Sequence, residues 1–366
     1  REMNVSAAER IADLRQRWPA PSRPMNIVFV GSGSIVNDAH APAYRLGRLP
    51  IAGAYDLDPA RARATAAKWA LPQVFARLED AFATPEVVFD VALPPQALAD
   101  VLPRLPDGAV VLIQKPFGLD LADATRLREL CRRKRLIAAV NFQLRFSPLM
   151  LALQDAVERG VLGRILDVEV QVNCRMPWEL WPFMESLARM EIALHSIHYL
   201  DTIRALLGEP RSGFARTVKH PDVPKLASSR TSAILDYADD VRVCLSINHH
   251  HKHGPKHEVS QMRVEGTHGA ALATMGVNLD YPRGRPDALE IADGASTWRS
   301  VPLVGNWFPD AFLGTMSNLQ RVARGEERVL HTSVEDAWHT MALVEALYMS
   351  DATRGTPVPR ENGARA

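Results

Sequence analysis

Lys115 follows an unbroken apolar run, Val110-Val111-Leu112-Ile113, and stands just before Pro116 and Gly118. Such a run suits a strand buried on both faces, and the proline and glycine turn the chain where it stops. In an open parallel sheet, ligands bind just outside the carboxyl ends of the strands. A lysine half-removed from water at that place has a lowered pKa and can exchange protons near neutral pH. The bland alternative is an ammonium snorkelling to solvent. Further along, Glu191, His195 and His198 lie at i, i+4 and i+7, one stripe of a helix. Imidazole titrates near neutrality, so His198 suits a general base, with His195 or Glu191 orienting it or binding a second hydroxyl. The alternative for each is a packed helix histidine with no chemistry.

These side chains need a scaffold. The run 26–30 reads as a buried strand that leads into Gly31-Ser32-Gly33-Ser34-Ile35-Val36. A strand, Gly-x-Gly and a helix start is what a dinucleotide pyrophosphate needs: close backbone approach and free N–H groups. Val36 replaces the third glycine of the usual fingerprint. A second strand, 51–55, ends at Asp56, placed to hold a ribose diol; the alternative is a turn aspartate. A carboxylate there repels a 2'-phosphate, which favours NAD over NADP, although Arg61 and Arg63 keep NADP open. Asp58-Pro59 opens the next helix as an N-cap with proline in its first turn. Strands at 87–93, 109–113 and 136–141 alternate with helices at 60–70, 96–102 and 121–135. The expected fold class is therefore an α/β Rossmann domain, a doubly wound parallel sheet.

After about residue 147 the pattern changes. Strands are expected at 163–172, 214–218, 229–236, 241–248, 261–265, 270–274 and 297–301, and a long helix near 185–207. Strands in series argue an α+β domain with a large, mostly antiparallel open sheet. Helices at 310–324 and 334–353 close the chain, the second entered by a capping box, Thr332-x-x-Glu335. The division expected is an N-terminal extension over 1–24, an NAD(P)-binding domain over 25–146 and a substrate-binding and oligomerisation domain over 147–366. Its last helix, 333–354, should pack back toward the first domain. Ile11, Leu14 and Trp18 suggest a short docking helix over 7–18. The chain opens on Arg rather than Met, so a trimmed or processed start is expected, and 1–24 does not read as a secretory signal.

The 366 residues are 47% hydrophobic and 23% charged, with a net charge of +1. That balance speaks against nucleic acid and anionic membrane as partners, and no apolar run can span a bilayer. Three scattered cysteines, Cys131, Cys174 and Cys244, form no pairing pattern and fit a reducing cytoplasm. The run Arg132-Arg133-Lys134-Arg135 reads as a solvated helix end. His249, His250, His251, His253 and His257 form a dense group without a metal-ligand spacing. No metal is expected there; one or two of them, His249 first, would reach a bound substrate.

Taken together, these segments resemble the glucose–fructose oxidoreductase / inositol dehydrogenase / MocA family over roughly 25–358. Gln114-Lys115-Pro116 matches its Glu-Lys-Pro motif with Gln for Glu. Phe142-Gln143-Leu144-Arg145-Phe146-Ser147-Pro148 is similar to the segment joining its two domains. Val161-Leu162-Gly163-Arg164-Ile165 and Glu265-Gly266-Thr267-His268-Gly269 are similar to its second-domain strand start and strand–turn. His198 and Asp201 match its catalytic His and following Asp, whereas its earlier Asp falls on Leu194. The resemblance implies an NAD(P)-dependent oxidoreductase moving hydride between nicotinamide and a hydroxyl or carbonyl of a sugar, sugar acid or cyclitol. His198 would take the hydroxyl proton, Lys115 would hydrogen-bond the same oxygen, and His195 or Glu191 would orient the base. Cofactor contacts are expected from Gly31, Ser32, Gly33, Ser34, Ile35, Asp56, Leu93, Pro94, Gln96, Gln114, Lys115 and Gln143. Substrate contacts are expected from Lys115, Arg145, Trp178, His195, His198, His249, Trp307 and Asp310. Arg145 also suits a structural ion pair, and Asp310 suits a helix N-cap. Trp178, Trp181, Trp307 and Phe308 could wall a sugar pocket or simply pack. The open sheet suggests a homodimer or homotetramer. Two alternatives are a redox-neutral enzyme recycling tightly held NAD and a non-catalytic NAD- and sugar-sensing regulator.

Overall fold

The computed structural model describes residues 11–281, 283–294 and 297–358. Five parallel strands form the first sheet: β1 (Asn26–Val30), β2 (Ile51–Tyr55), β3 (Val87–Val91), β4 (Val110–Ile113) and β5 (Ile137–Val140), in the order β2-β1-β3-β4-β5. Every residue of β3 and β4 is buried, which is why these strands read as continuous apolar runs. Asp58 caps the Pro59–Trp69 helix by accepting from Ala60 N at 2.9 Å, as its sequence suggests.

The second sheet has eight strands: β6 (Ile165–Asn173), β7 (Ser212–Val218), β8 (Arg230–Ala238), β9 (Val241–Asn248), β10 (Val259–Gly266), β11 (Gly269–Thr274), β12 (Ala288–Asp293) and β13 (Arg299–Val301). Their order is β13-β12-β11-β10-β6-β9-β8-β7, and only β6 and β9 pair in parallel. Along β6, Val168, Val170 and Val172 turn inward, while Asp167, Glu169 and Gln171 face out; period-two pleating made this strand legible. β12 escaped the sequence reading.

Three local expectations are corrected. The helix expected over 185–207 is broken: a 3-10 turn at Pro182–Ser186, then a π-helical turn at Ile192–Ser196, then an α-helix at Ile197–Leu207. The cap of the Val334–Thr353 helix is Ser333, whose hydroxyl accepts from Asp336 N at 3.2 Å. Thr332 is buried one residue earlier, and Glu335 turns away to Arg132. The helix expected over 7–18 lies partly outside the described residues, and within them helix covers only residues 11–12. Ile11 and Leu14 are nonetheless buried, and Trp18 packs edge-on against Phe146 and His331.

The two sheets are tied by the chain's last helices. Phe312, Met316 and Leu319 of the Asp310–Ala323 helix share one core with Ile27, Phe29, Val88 and Leu112 of the parallel sheet. The Val334–Thr353 helix bridges the Leu121–Arg133 helix through Trp338 Nε1 to Thr125 Oγ1 (2.8 Å) and reaches Arg189 through Glu345. No helix among the described residues is long and apolar enough to cross a membrane.

Candidate active site

The cofactor side starts at the end of β1. Gly31 has φ +103°, and an added Cβ would stand 2.6 Å from Ala92 O, so only glycine fits. At Gly33 an added Cβ would meet nothing within 4 Å, so the loop is open there. Helical backbone begins at Ser34 and continues through a π-turn, Val36–His40, into the Ala41–Leu46 helix. Val36, at the third-glycine position, is fully buried in the core beneath that helix. Ile35 packs partly against the same core. Asp56 holds the loop: Ser32 N donates to Oδ2 at 2.7 Å and Asp58 N to Oδ1 at 2.9 Å. Each carboxylate oxygen keeps a second lone pair for a ribose hydroxyl, so turn-making and ribose-binding are compatible here. Past β3, Leu93 is half-buried while Pro94 and Gln96 are exposed. Ser32 Oγ, Gln114 Oε1 and Gln143 Oε1 are buried without a hydrogen-bond partner. Leaving such atoms unpaired costs about 1–3 kcal/mol each. An open glycine turn at a helix start, an acid at the next strand end and these waiting polar atoms fit a dinucleotide.

Beyond β4, Lys115 Nζ donates to Leu194 O at 2.8 Å, which pins the lysine against the residue preceding His195. Burial lowers its pKa to about 8. His198 is buried and held below the ordinary histidine range by burial and then by the Lys115 charge. His195 is lowered by burial, then by His249, Lys115 and His198. Both rings leave Nδ1 buried and without a partner. Trp307 meets the His198 ring edge-on at 5.5 Å, and Trp178 meets the His195 ring at 5.7 Å. The structure therefore gathers one cation and two neutral imidazoles between two indoles.

The α-helical stripe expected for Glu191, His195 and His198 does not form. A π-turn adds a residue, so Glu191 faces Ser196 instead of His195. Ser196 Oγ donates to Glu191 Oε1 (2.8 Å), and Glu191 Oε1 lies 3.5 Å from His249 Nε2. His249 in turn lies against His195, ring centroids 4.6 Å apart. Sequence reasoning missed Ser196 and Cys174. No sequence signal marked Cys174: β6 and β9 run parallel with Asn173 opposite Asn248, and only that assembled pairing brings Cys174 and His249 out side by side. Nothing in the sequence announced Ser196, because its role depends on the π-turn.

Two expected substrate residues are committed elsewhere. Arg145 is buried in a bidentate pair with Asp201 (2.5 and 2.6 Å), with Asp336 at 2.7 Å and His331 O at 3.1 Å. These partners commit four of its five N–H donors within the protein, which fits the structural ion pair. Asp201 accordingly serves Arg145. Asp310 is the first helical residue and not the N-cap; its Oδ2 accepts from Asn306 N at 3.0 Å, which fixes the loop carrying Trp307. Phe308 packs edge-on against Phe312 at 4.9 Å, and Trp181 leans on Tyr281 at 5.8 Å.

Among the described residues, His220, Asp222 and His250 come close enough for a metal. Their hydrogen bonds oppose one. His250 Nδ1 accepts from Trp178 Nε1 and His220 Nδ1 accepts from Asp222 N, both at 3.1 Å, so each neutral ring keeps its proton on Nε2. Lys252 already neutralises Asp222. The group braces Trp178 from behind.

Residues 25–142 match the family model described as "Oxidoreductase family, NAD-binding Rossmann fold", and residues 150–272 match the GFO/IDH/MocA C-terminal domain. The chain belongs to the GFO/IDH/MocA oxidoreductase family. Within that family, D-apiose dehydrogenase of Paraburkholderia graminis is 26% identical over 269 residues, covering 66% of this chain and 64% of that protein. The chain thus matches a little under two thirds of that relative's length. Inositol 2-dehydrogenase of Corynebacterium glutamicum is 32% identical over 150 residues, 40% of this chain and 44% of that protein. A levoglucosan dehydrogenase solved with NADH and levoglucosan shares the fold, with TM-score 0.76 at 16% identity over 91% of this chain and 98% of that one.

Proposed function

We propose that this GFO/IDH/MocA member is an NAD-dependent dehydrogenase that oxidises a secondary hydroxyl of a sugar, sugar acid or cyclitol. The observation that carries the reading is Lys115 beside two buried imidazoles with free Nδ1 atoms, at the end of β4 in the same sheet as the glycine loop. The names of the curated relatives support a polyol substrate. Bound in the glycine turn near Asp56, NAD would supply the acceptor for the hydride leaving the carbinol carbon. The His198 imidazole takes the hydroxyl proton as the C=O bond forms. Lys115 donates to the same oxygen and stabilises its developing charge. A neutral imidazole and a cationic lysine are the states this needs: the lowered His198 pKa favours the first, and Lys115, lowered only to about 8, still holds its proton near neutral pH. Trp307 and Trp178 hold the rings and give apolar faces on which a sugar ring can stack.

Asp56 favours NAD over NADP by repulsion of a 2'-phosphate. The free thiols Cys131, Cys174 and Cys244 support a cytoplasmic setting. The sheet face bearing Phe214 and Ile234, both more than half exposed, supports assembly with a second copy, which light scattering would measure. The deciding experiment screens sugars, sugar acids, lactones and inositols for nicotinamide reduction. Turnover with a polyol supports the reading; inertness toward the whole panel with cofactor bound would sink it.

A further inference from the structure

We propose that Glu191 and His249 form a buried positioning pair that fixes the orientation and charge of His195 beside the reacting oxygen. Its catalytic consequence rests on the dehydrogenase reading; its geometry does not. Glu191 is fully buried, and a carboxylate there must be compensated. Ser196 Oγ donates to both of its oxygens, at 2.8 and 3.1 Å, and His249 Nε2 stands 3.5 Å from Oε1. Burial first, with the Glu191 charge adding to it, raises the hydroxyls of Tyr199 in the Ile197–Leu207 helix and Tyr348 in the Val334–Thr353 helix.

His249 is held from three sides. Its backbone N donates to Ser229 O at 3.1 Å, its Nδ1 lies 3.6 Å from Cys174 Sγ, and its face lies against His195. Burial works against a charged ring at this position, but Cys174 and Glu191 outweigh it and raise the pKa to about 9. His249 is then an imidazolium near neutral pH. Two imidazoles with centroids 4.6 Å apart cannot both carry a proton cheaply, so His195 stays neutral. The titratable groups facing His195 are His249, Lys115 and His198, and Trp178 closes its other side. A neutral His195 ring keeps one nitrogen lone pair with which to accept a hydrogen bond from a substrate hydroxyl. The pair thus acts through His195 and needs no contact with substrate.

The test is ring-nitrogen NMR of labelled histidines in the full chain, joined to pH profiles of kcat/KM. Near neutral pH, His249 should carry both ring protons and His195 only one. Glu191→Gln and His249→Gln should each raise the His195 titration and move the acid limb of kcat/KM upward with it. Both should lower kcat by about tenfold or more while NAD affinity holds. A singly protonated His249 near neutral pH in the unaltered protein would overturn the proposal even if neither variant folds. So would a His195 titration that stays put in both variants. The NMR needs no substrate, so a failed substrate screen removes the dehydrogenase reading and leaves the pair decided by its own titrations.

Discussion

At the scale of single residues, the proposed mechanism rests on Lys115 and His198. Lys115→Met and His198→Ala should each cut kcat/KM by about 10²–10⁴-fold, the usual worth of a positioned proton-transfer group. NAD affinity should change little, as fluorescence titration would show; near-normal turnover in either variant contradicts the mechanism. The pH profile follows from the shifts. Base catalysis needs His198 neutral, and its lowered pKa puts the acid limb of kcat/KM below the ordinary histidine value. Stabilising the oxygen needs Lys115 charged, so activity falls as pH rises through about 8. Lys115→Arg should carry the alkaline limb upward. Asp56→Ala should weaken NAD by roughly tenfold, about 1.4 kcal/mol, and narrow the preference over NADP. Unchanged cofactor selectivity would return Asp56 to the turn-making role its two backbone contacts already show.

At the scale of elements, the glycine turn and the π-turn matter most. Gly31→Ala puts a side chain into left-handed backbone and against Ala92 O, so it should destabilise by roughly 1–3 kcal/mol and impair NAD binding. Urea unfolding and cofactor titration check the two effects separately. The strand ends at Asp56 and Lys115 were legible because apolar runs and turn residues mark them directly. The stripe of Glu191, His195 and His198 was misread because α-helical spacing was assumed. One added residue in Ile192–Ser196 sends Glu191 to Ser196 and His249, and frees His195 to face Lys115. The capping box failed for a similar reason: Thr332 and Ser333 are equally good caps by type, and burial of Thr332 decides between them.

At the scale of the whole molecule, the interface between the sheets is locked by charge. Arg145 lies just after β5, Asp201 on the Ile197–Leu207 helix and Asp336 on the Val334–Thr353 helix, and Arg204 extends the group to Glu209 and Thr340. Removing one partner of a buried pair is costly because the other charge stays behind. Asp201→Asn should therefore cost about 3 kcal/mol in urea unfolding. A loss under about 1 kcal/mol would mean Asp336 alone suffices for Arg145.

The sequence by itself determined the parallel sheet, the second sheet's alternation, the glycine turn and the lysine at a strand end. Each is written in neighbouring residues: buried runs, period-two pleats, glycine and proline breaks. Tertiary structure alone decided that Arg145 pairs with Asp201 and Asp336, that Cys174 stands beside His249, and that Glu191 comes within 3.5 Å of His249. Those pairings join residues far apart in the chain, and no local spacing encodes which buried charge will find which partner.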